Sequence, residues 1–198
     1  MSIDQFSKVM SGAFFVFFAC VALALSAAWE QPKLNPKVIT SKIVEENGFT
    51  VVGIGARTSN AKEMTEQGVI PKQWERFMKE GLVSEILDKA DSSIIAVYTD
   101  YESDKDGEYT YLLGAKVTSA DKVPPGMVAK KVPPGRYAVS TSEKGPVGKV
   151  VAETWKRIWT LPKSEPGGNR AYLADFEIYD QRAADPQNSQ VDVYVGIK

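Results

Sequence analysis

The chain has 198 residues, 43% hydrophobic and 25% charged, which is ordinary globular composition and enough for one well-buried domain with a short extension. Its 24 basic and 25 acidic side chains are interspersed and leave a net charge of -1, so there is no basic field for counterion-release binding, and nucleic acid is set aside as a partner. Histidine is absent and Cys20 is the only cysteine, which excludes Ser-His-Asp catalysis, His-ligated zinc and a disulfide; no metal and no cofactor are expected.

Residues 1–29 form the first unit. From Val9 to Trp29 no side chain is charged, and Lys8 stands just before the run. The stretch reads as a signal peptide or as a single transmembrane anchor, and both alternatives stay open. Small residues at Ser26 and Ala28 suit a signal peptidase, while about 20 uncharged residues suffice to span a bilayer at roughly 1.5 Å per residue. Lys8 ahead of the run favours an inside N-terminus, with the following domain on the periplasmic or extracellular side. Residues 30–36, polar and containing Pro32 and Pro36, are a linker. The remainder, 37–198, is one domain.

Within it, 37–44 and 50–57 are predicted strands joined across Asn47-Gly48, a tight-turn signal. Residues 71–88 follow as an amphipathic helix, because Trp74, Phe77, Met78, Leu82 and Ile86 recur at helical spacing and Pro71 sits in the first turn, where proline is tolerated. Strands 93–101 and 108–117 form a hairpin across the acidic loop ESDKDG. Residues 121–127, DKVPPGM, connect to a second series: strands 127–132 and 136–142, a helix over about 146–160, then strands 171–179 and 190–198.

The two series match. YLLGAK at 111–116 corresponds to VYVGIK at 193–198, WERFM at 74–78 to WKRIW at 155–159, and NGFTVVGIGA to PPGRYAVSTS as a glycine turn before an alternating strand. Three matches in one order indicate an internal duplication. The fold class expected is α+β: a duplicated strand-strand-helix-strand-strand unit, giving a pseudo-twofold antiparallel sheet with helices on one side and a central groove where the halves meet.

That repeated unit, the helix ending WKRIWTLP, the FEIYD strand and the final VYVGIK resemble the effector-binding domains called GyrI-like, which occur alone and as ligand sensors of AraC-type and MerR-type regulators. The resemblance covers about 37–198. It implies a groove that takes apolar, often cationic small molecules between aromatic side chains around a central glutamate, which falls on Glu177 here. It also implies that hydrolysis of reactive small molecules is open to the fold, whereas the haem-binding relatives in their usual form need a histidine that this chain lacks. An export or anchor segment stands where the regulators carry a DNA-binding domain.

Strand alternation places Leu173, Asp175, Glu177 and Tyr179 on one face and Tyr172, Ala174, Phe176 and Ile178 on the other. The apolar set is the face a helix is expected to cover, so Glu177 and Tyr194 are expected to share the uncovered side, with Gly114 and Gly196 leaving room for a ligand. The candidate ligand-binding residues are Glu177, Tyr179, Tyr194, Tyr98, Tyr111 and Trp159, and Glu177 is the one candidate for catalysis. A carboxylate between aromatic faces holds a desolvated cation, and burial raises its pKa as a general acid or base requires. Trp74 and Trp155 read as core. ESDKDGE lacks the calcium-loop pattern and reads as a solvated hairpin loop, and GIGARTSN lacks the phosphate-loop Lys-Ser/Thr, so nucleotide binding is set aside. Three functions follow: an exported or membrane-anchored small-molecule-binding protein, a hydrolase on the same fold, and an accessory single-span subunit of a membrane complex. The partners implied are an apolar or cationic small molecule, the membrane through 9–29 if the leader is uncleaved, and subunits of such a complex.

Overall fold

The computed structural model describes residues 42–198. The leader, the linker and the first residues of the strand expected at 37–44 lie outside the described residues. Among the described residues, no helix is long and apolar enough to cross a membrane.

The first series comprises β1 (Lys42–Glu46), β2 (Phe49–Ser59), the single turn α1 (Asn60–Glu63), α2 (Ile70–Lys79), β3 (Ile94–Thr99) and β4 (Glu108–Val117). The second comprises β5 (Val128–Val132), β6 (Gly135–Thr141), α3 (Val147–Thr160), β7 (Arg170–Tyr179) and β8 (Asp192–Ile197). The fold is α+β, with all eight strands in one sheet of order β1-β6-β8-β7-β3-β4-β2-β5 and every described pairing antiparallel. Exchanging each strand for its counterpart in the other series reverses this order onto itself, so the duplication read in the sequence is also a symmetry of the sheet.

The helix expected over 71–88 stops at Lys79. Gly81 takes a left-handed conformation, φ 66°, which ends the helix, and the chain continues as a 3-10 turn at Leu82–Ser84. Leu82 and Ile86 are nevertheless buried against the same core, which is why the apolar spacing runs past the helix end. The start of α2 is held by Glu63, whose carboxylate accepts from the backbone N–H of Val69 at 2.9 Å and of Ile70 at 3.1 Å, and from the Thr58 hydroxyl. Donors left over at a helix start are thereby satisfied.

The pair β3–β4 is a hairpin, but β1 and β2, although joined by the turn at Asn47-Gly48, are not paired with each other. β1 pairs with β6, and β2 pairs with β4 and β5. The two short connections β1–β2 and β5–β6 run side by side, so that a Cβ on Gly48 would lie 2.9 Å from the Pro134 nitrogen. Because each links strands from opposite ends of the order, the sheet curls until its ends approach. Inside the curl lies one apolar face: Val51, Ile95, Val97, Leu112, Val132, Tyr137 and Phe176, with Phe49 edge-on to Phe176 at 5.1 Å. The helices cover the other face.

This reverses an expectation. The apolar face of β7 is buried by the sheet's own curl, and the face carrying Asp175, Glu177 and Tyr179 lies beneath the helices. The glycines expected to open space for a ligand instead permit close backbone approach. A Cβ on Gly114 would overlap the Val52 carbonyl oxygen and lie 2.7 Å from the Gly53 Cα, and one on Gly196 would lie 2.8 Å from the Ala174 oxygen.

Candidate functional site

Strand β7 begins irregularly. Its register on β8 shifts between Arg170 and Asp175, and Tyr172 has φ 54° inside that bulge. From Asp175 onward the ladder is regular, pairing Asp175 with Val195, Phe176 with Tyr194 and Glu177 with Val193. Asp175 is fully buried and closed by its own partners: the Arg170 guanidinium, the Tyr101 hydroxyl at 2.6 Å and the Gly196 N–H at 2.9 Å. Arg170 in turn lies 4.4 Å from the Tyr172 ring centroid and 5.6 Å from that of Trp155.

Two residues further on, Glu177 is 1% exposed. One carboxylate oxygen accepts from the Trp155 indole N–H at 2.5 Å and the Tyr98 hydroxyl at 2.8 Å, and the other accepts from the Tyr179 hydroxyl at 2.7 Å. Burial raises its pKa above the usual carboxylate value, while the three hydrogen bonds oppose the rise. The Tyr98 and Tyr179 hydroxyls are pushed well above the ordinary tyrosine value, chiefly by burial and next by the Glu177 charge. Among the described residues no lysine or arginine forms an ion pair with Glu177.

Glu177 lies in the wall of a cavity of about 600 Å³ between the two main helices and the sheet. Helix α3 presents Gly148, Val151, Ala152, Trp155 and Trp159, and α2 presents Ile70 and Trp74. The sheet contributes Tyr98, Tyr109, Glu177 and Tyr179. Asn60, Glu63, Met64, Tyr101, Lys105, Lys156 and Arg170 complete the wall, and of these Met64 and Lys156 are exposed. The rings interlock: Tyr98 lies 5.2 Å from Trp155 and 5.5 Å from Tyr109, and Trp74 lies 4.8 Å from Tyr179. A volume of this size, mostly apolar with a few convergent polar groups, suits a small organic molecule.

Of the residues singled out in the sequence, Glu177, Tyr179, Tyr98 and Trp159 all line this cavity. Tyr111 does not. It is fully buried behind Tyr98, ring to ring at 5.3 Å, and belongs to the core. Tyr194 is on the opposite face, stacked on Phe176 at 4.4 Å, because the β8 register sets it beside Phe176 and sets Val193 beside Glu177. Trp155 and Trp74, read as core, are buried and also form the cavity wall. Tyr101, read with Tyr98 as a candidate for the first-half wall, lines the cavity as well, whereas Tyr109, Arg170 and Glu63 were not singled out. A signal for the cavity did exist on α3: Gly148, Ala152, Trp155 and Trp159 fall on one helical face, two small side chains followed by two large ones, which leaves a hollow roofed by indoles. Nothing comparable marks Glu63, whose role depends on a helix start several residues away.

Comparison with known proteins places this site in a family context. The family described as Cass2, integron-associated effector binding protein, matches residues 42–197. The Bacillus subtilis (strain 168) protein YobU, named as a candidate transcriptional regulator, is 44% identical over 148 residues, covering 74% of this chain and 90% of YobU. The crystal structure of the Vibrio cholerae integron cassette protein VCH_CASS2 superposes with a TM-score of 0.64 at 28% identity, covering 80% of this chain and 95% of that one. SAV2435, solved bound to tetraphenylphosphonium, shares the fold at a TM-score of 0.62 and 16% identity, over 80% of this chain and 93% of that one. A match to the family over nearly all of the described residues, joined to a relative of this identity and coverage, shows that the chain belongs to the Cass2 family of integron-associated effector-binding proteins.

Proposed function

We propose that the cavity binds an aromatic, cationic small molecule whose charge lies against Glu177. The observation that carries this reading is the state of that carboxylate: buried, satisfied by three neutral donors, and without a cationic partner among the described residues. An ionised group so placed keeps a large unbalanced field in a low-dielectric site, and a desolvated organic cation is the complement. The Trp155, Trp159 and Tyr98 rings add cation–π attraction of about 0.5 to 2 kcal/mol per contact. SAV2435, which shares the fold, holds such a cation, tetraphenylphosphonium.

The test is calorimetric titration with tetraphenylphosphonium and with triphenylphosphine oxide, a neutral molecule of similar bulk. The cation binds and the neutral molecule binds at least tenfold more weakly, a difference of about 1.4 kcal/mol. In Glu177→Gln the preference disappears. Equal affinity for both compounds in the native protein overturns the reading.

We also propose that residues 9–29 carry the domain out of the cytoplasm, either as a cleaved signal or as a retained anchor, on the strength of their uncharged run after Lys8. Intact mass of the protein from its own membrane and soluble fractions decides between the two. Full-length protein found only in the cytosol overturns both.

A further inference from the structure

Glu177 is not the only buried carboxylate in the cavity wall. Glu63, 5% exposed, lines the same cavity from the α1 side. The two are built alike. Glu63 accepts from Thr58 Oγ1 and from the N–H groups of Val69 and Ile70, and Glu177 accepts from Tyr98, Trp155 and Tyr179. Each therefore has three donors, all neutral, and among the described residues neither has an ion-pair partner. Tyr109, in the same wall, feels both: burial pushes its hydroxyl above the ordinary value, and the Glu63 and Glu177 charges add to the rise in that order.

The other charges in the wall do not cancel this pair. Arg170 is spent on Asp175. Lys105 bonds Asp106 at 2.6 Å with its side chain 43% exposed, and Lys156 is exposed, so both are screened by water. The buried part of the wall thus carries two carboxylates without an ion-pair partner among the described residues, in a cavity lined also by the Trp74, Tyr98, Tyr109 and Trp155 rings. A single cation against Glu177 leaves the Glu63 field unanswered.

We propose that this cavity is selective for dications: molecules with two positive centres joined by an apolar or aromatic spacer, one centre against Glu177 and the other in the field of Glu63. The proposal rests on the cation-binding reading above and names the ligand class within it. Glu63 acts by charge across the cavity; its oxygens remain bonded to the start of α2.

The experiment compares matched probes on the full chain by calorimetry: tetraphenylphosphonium as the reference monocation, decyltrimethylammonium, and the bis-quaternary ions hexamethonium and decamethonium. Replacing the terminal methyl of an alkyl chain by a second hydrated ammonium weakens ordinary apolar binding, so a gain is diagnostic. At least one bis-quaternary ion binds about tenfold or more tightly than decyltrimethylammonium, and that gain falls as salt is raised. Glu63→Gln abolishes the bis-quaternary gain over decyltrimethylammonium, whereas tetraphenylphosphonium affinity falls by less than that gain, and a native-like far-ultraviolet circular dichroism spectrum shows that the variant is folded; a coulombic role of this size is expected in a low-dielectric site. If tetraphenylphosphonium binds and neither bis-quaternary ion exceeds the monocation, the dication proposal is overturned and the cation reading stands. If no cation binds, both fall. Should Glu63→Gln fail to fold, the mono-to-dication ratio in the native protein and its salt dependence decide alone.

Discussion

Keeping a carboxylate ionised at 1% exposure costs free energy, and the cost has a pH signature. The folded-state pKa of Glu177 lies above the ordinary value of 4.5, and the unfolded chain returns to that value. Below it, Glu177 is protonated in both states and burial carries no charge penalty. As pH rises, the unfolded state ionises first, so it binds fewer protons and stability falls from about pH 4.5 up to the raised pKa. Glu177→Gln removes this slope. Thermal melts of the two proteins therefore diverge with rising pH, the variant becoming the more stable at neutral pH; parallel curves between pH 4 and 7 would show that burial of this charge is not what the fold sacrifices for its ligand. Cation binding has the opposite dependence, strengthening as Glu177 ionises. Trp155→Phe removes the donor at 2.5 Å, worth about 1.5 to 3 kcal/mol for a bond to a charged group, and so raises the Glu177 pKa further. Affinity for tetraphenylphosphonium at neutral pH drops about tenfold and recovers in part at higher pH. A loss independent of pH would assign Trp155 to packing alone.

Elements explain both what could be read in advance and what could not. The strands and the second helix follow from local signals: alternation, glycine turns, and apolar spacing on α3, none of which depends on distant partners. The helix over 71–88 was overextended because apolar spacing reports burial rather than hydrogen bonding, and Leu82 and Ile86 are buried beyond the break at Gly81. The site was half legible. Alternation separated Glu177 from Phe176 correctly, but which face the helices cover depends on the sheet curling on itself, and that is decided by pairings between the two series. The glycines show the same limit. Gly114 was readable as a missing side chain, yet only the strand pairing reveals that Val52 and Gly53 fill its place. Gly114→Ala forces backbone against backbone in the middle of the β2–β4 ladder, a cost of at least about 1 to 3 kcal/mol. Gly126→Ala, at φ 77° with nothing within 4 Å, pays only the left-handed penalty of roughly 1 to 2 kcal/mol. Denaturant midpoints at constant m-value rank the two variants, and a Gly114→Ala protein as stable as Gly126→Ala would mean that the strands separate without cost.

At the scale of the molecule, the duplication does not yield two domains. Each series builds a three-stranded core, β2-β4-β3 or β6-β8-β7, and gives its first strand to the other: β1 to β6 and β5 to β2. The cores join through β3 and β7, which carry Tyr98 and Glu177. The cavity is shared in the same way, with Trp74 and Tyr98 from the first series facing Trp155 and Glu177 from the second. Half the molecule would expose the β3 or β7 edge, lose the strand exchanged onto β2 or β6, and open the apolar interior of the curl, where Phe49 of one series packs on Phe176 of the other. Unpaired edges and uncovered apolar surface of that extent leave too little burial to offset chain entropy in a fragment of this length. The full chain is therefore expected to unfold in one transition, with tryptophan fluorescence and far-ultraviolet circular dichroism coincident. Fragments 42–120 and 121–198 are each expected to lack cooperative unfolding alone and to regain it, with tetraphenylphosphonium binding, when mixed. A 42–120 fragment that melts cooperatively by itself would show that the exchanged strands are accessory and that the cavity is assembled from two independently stable halves.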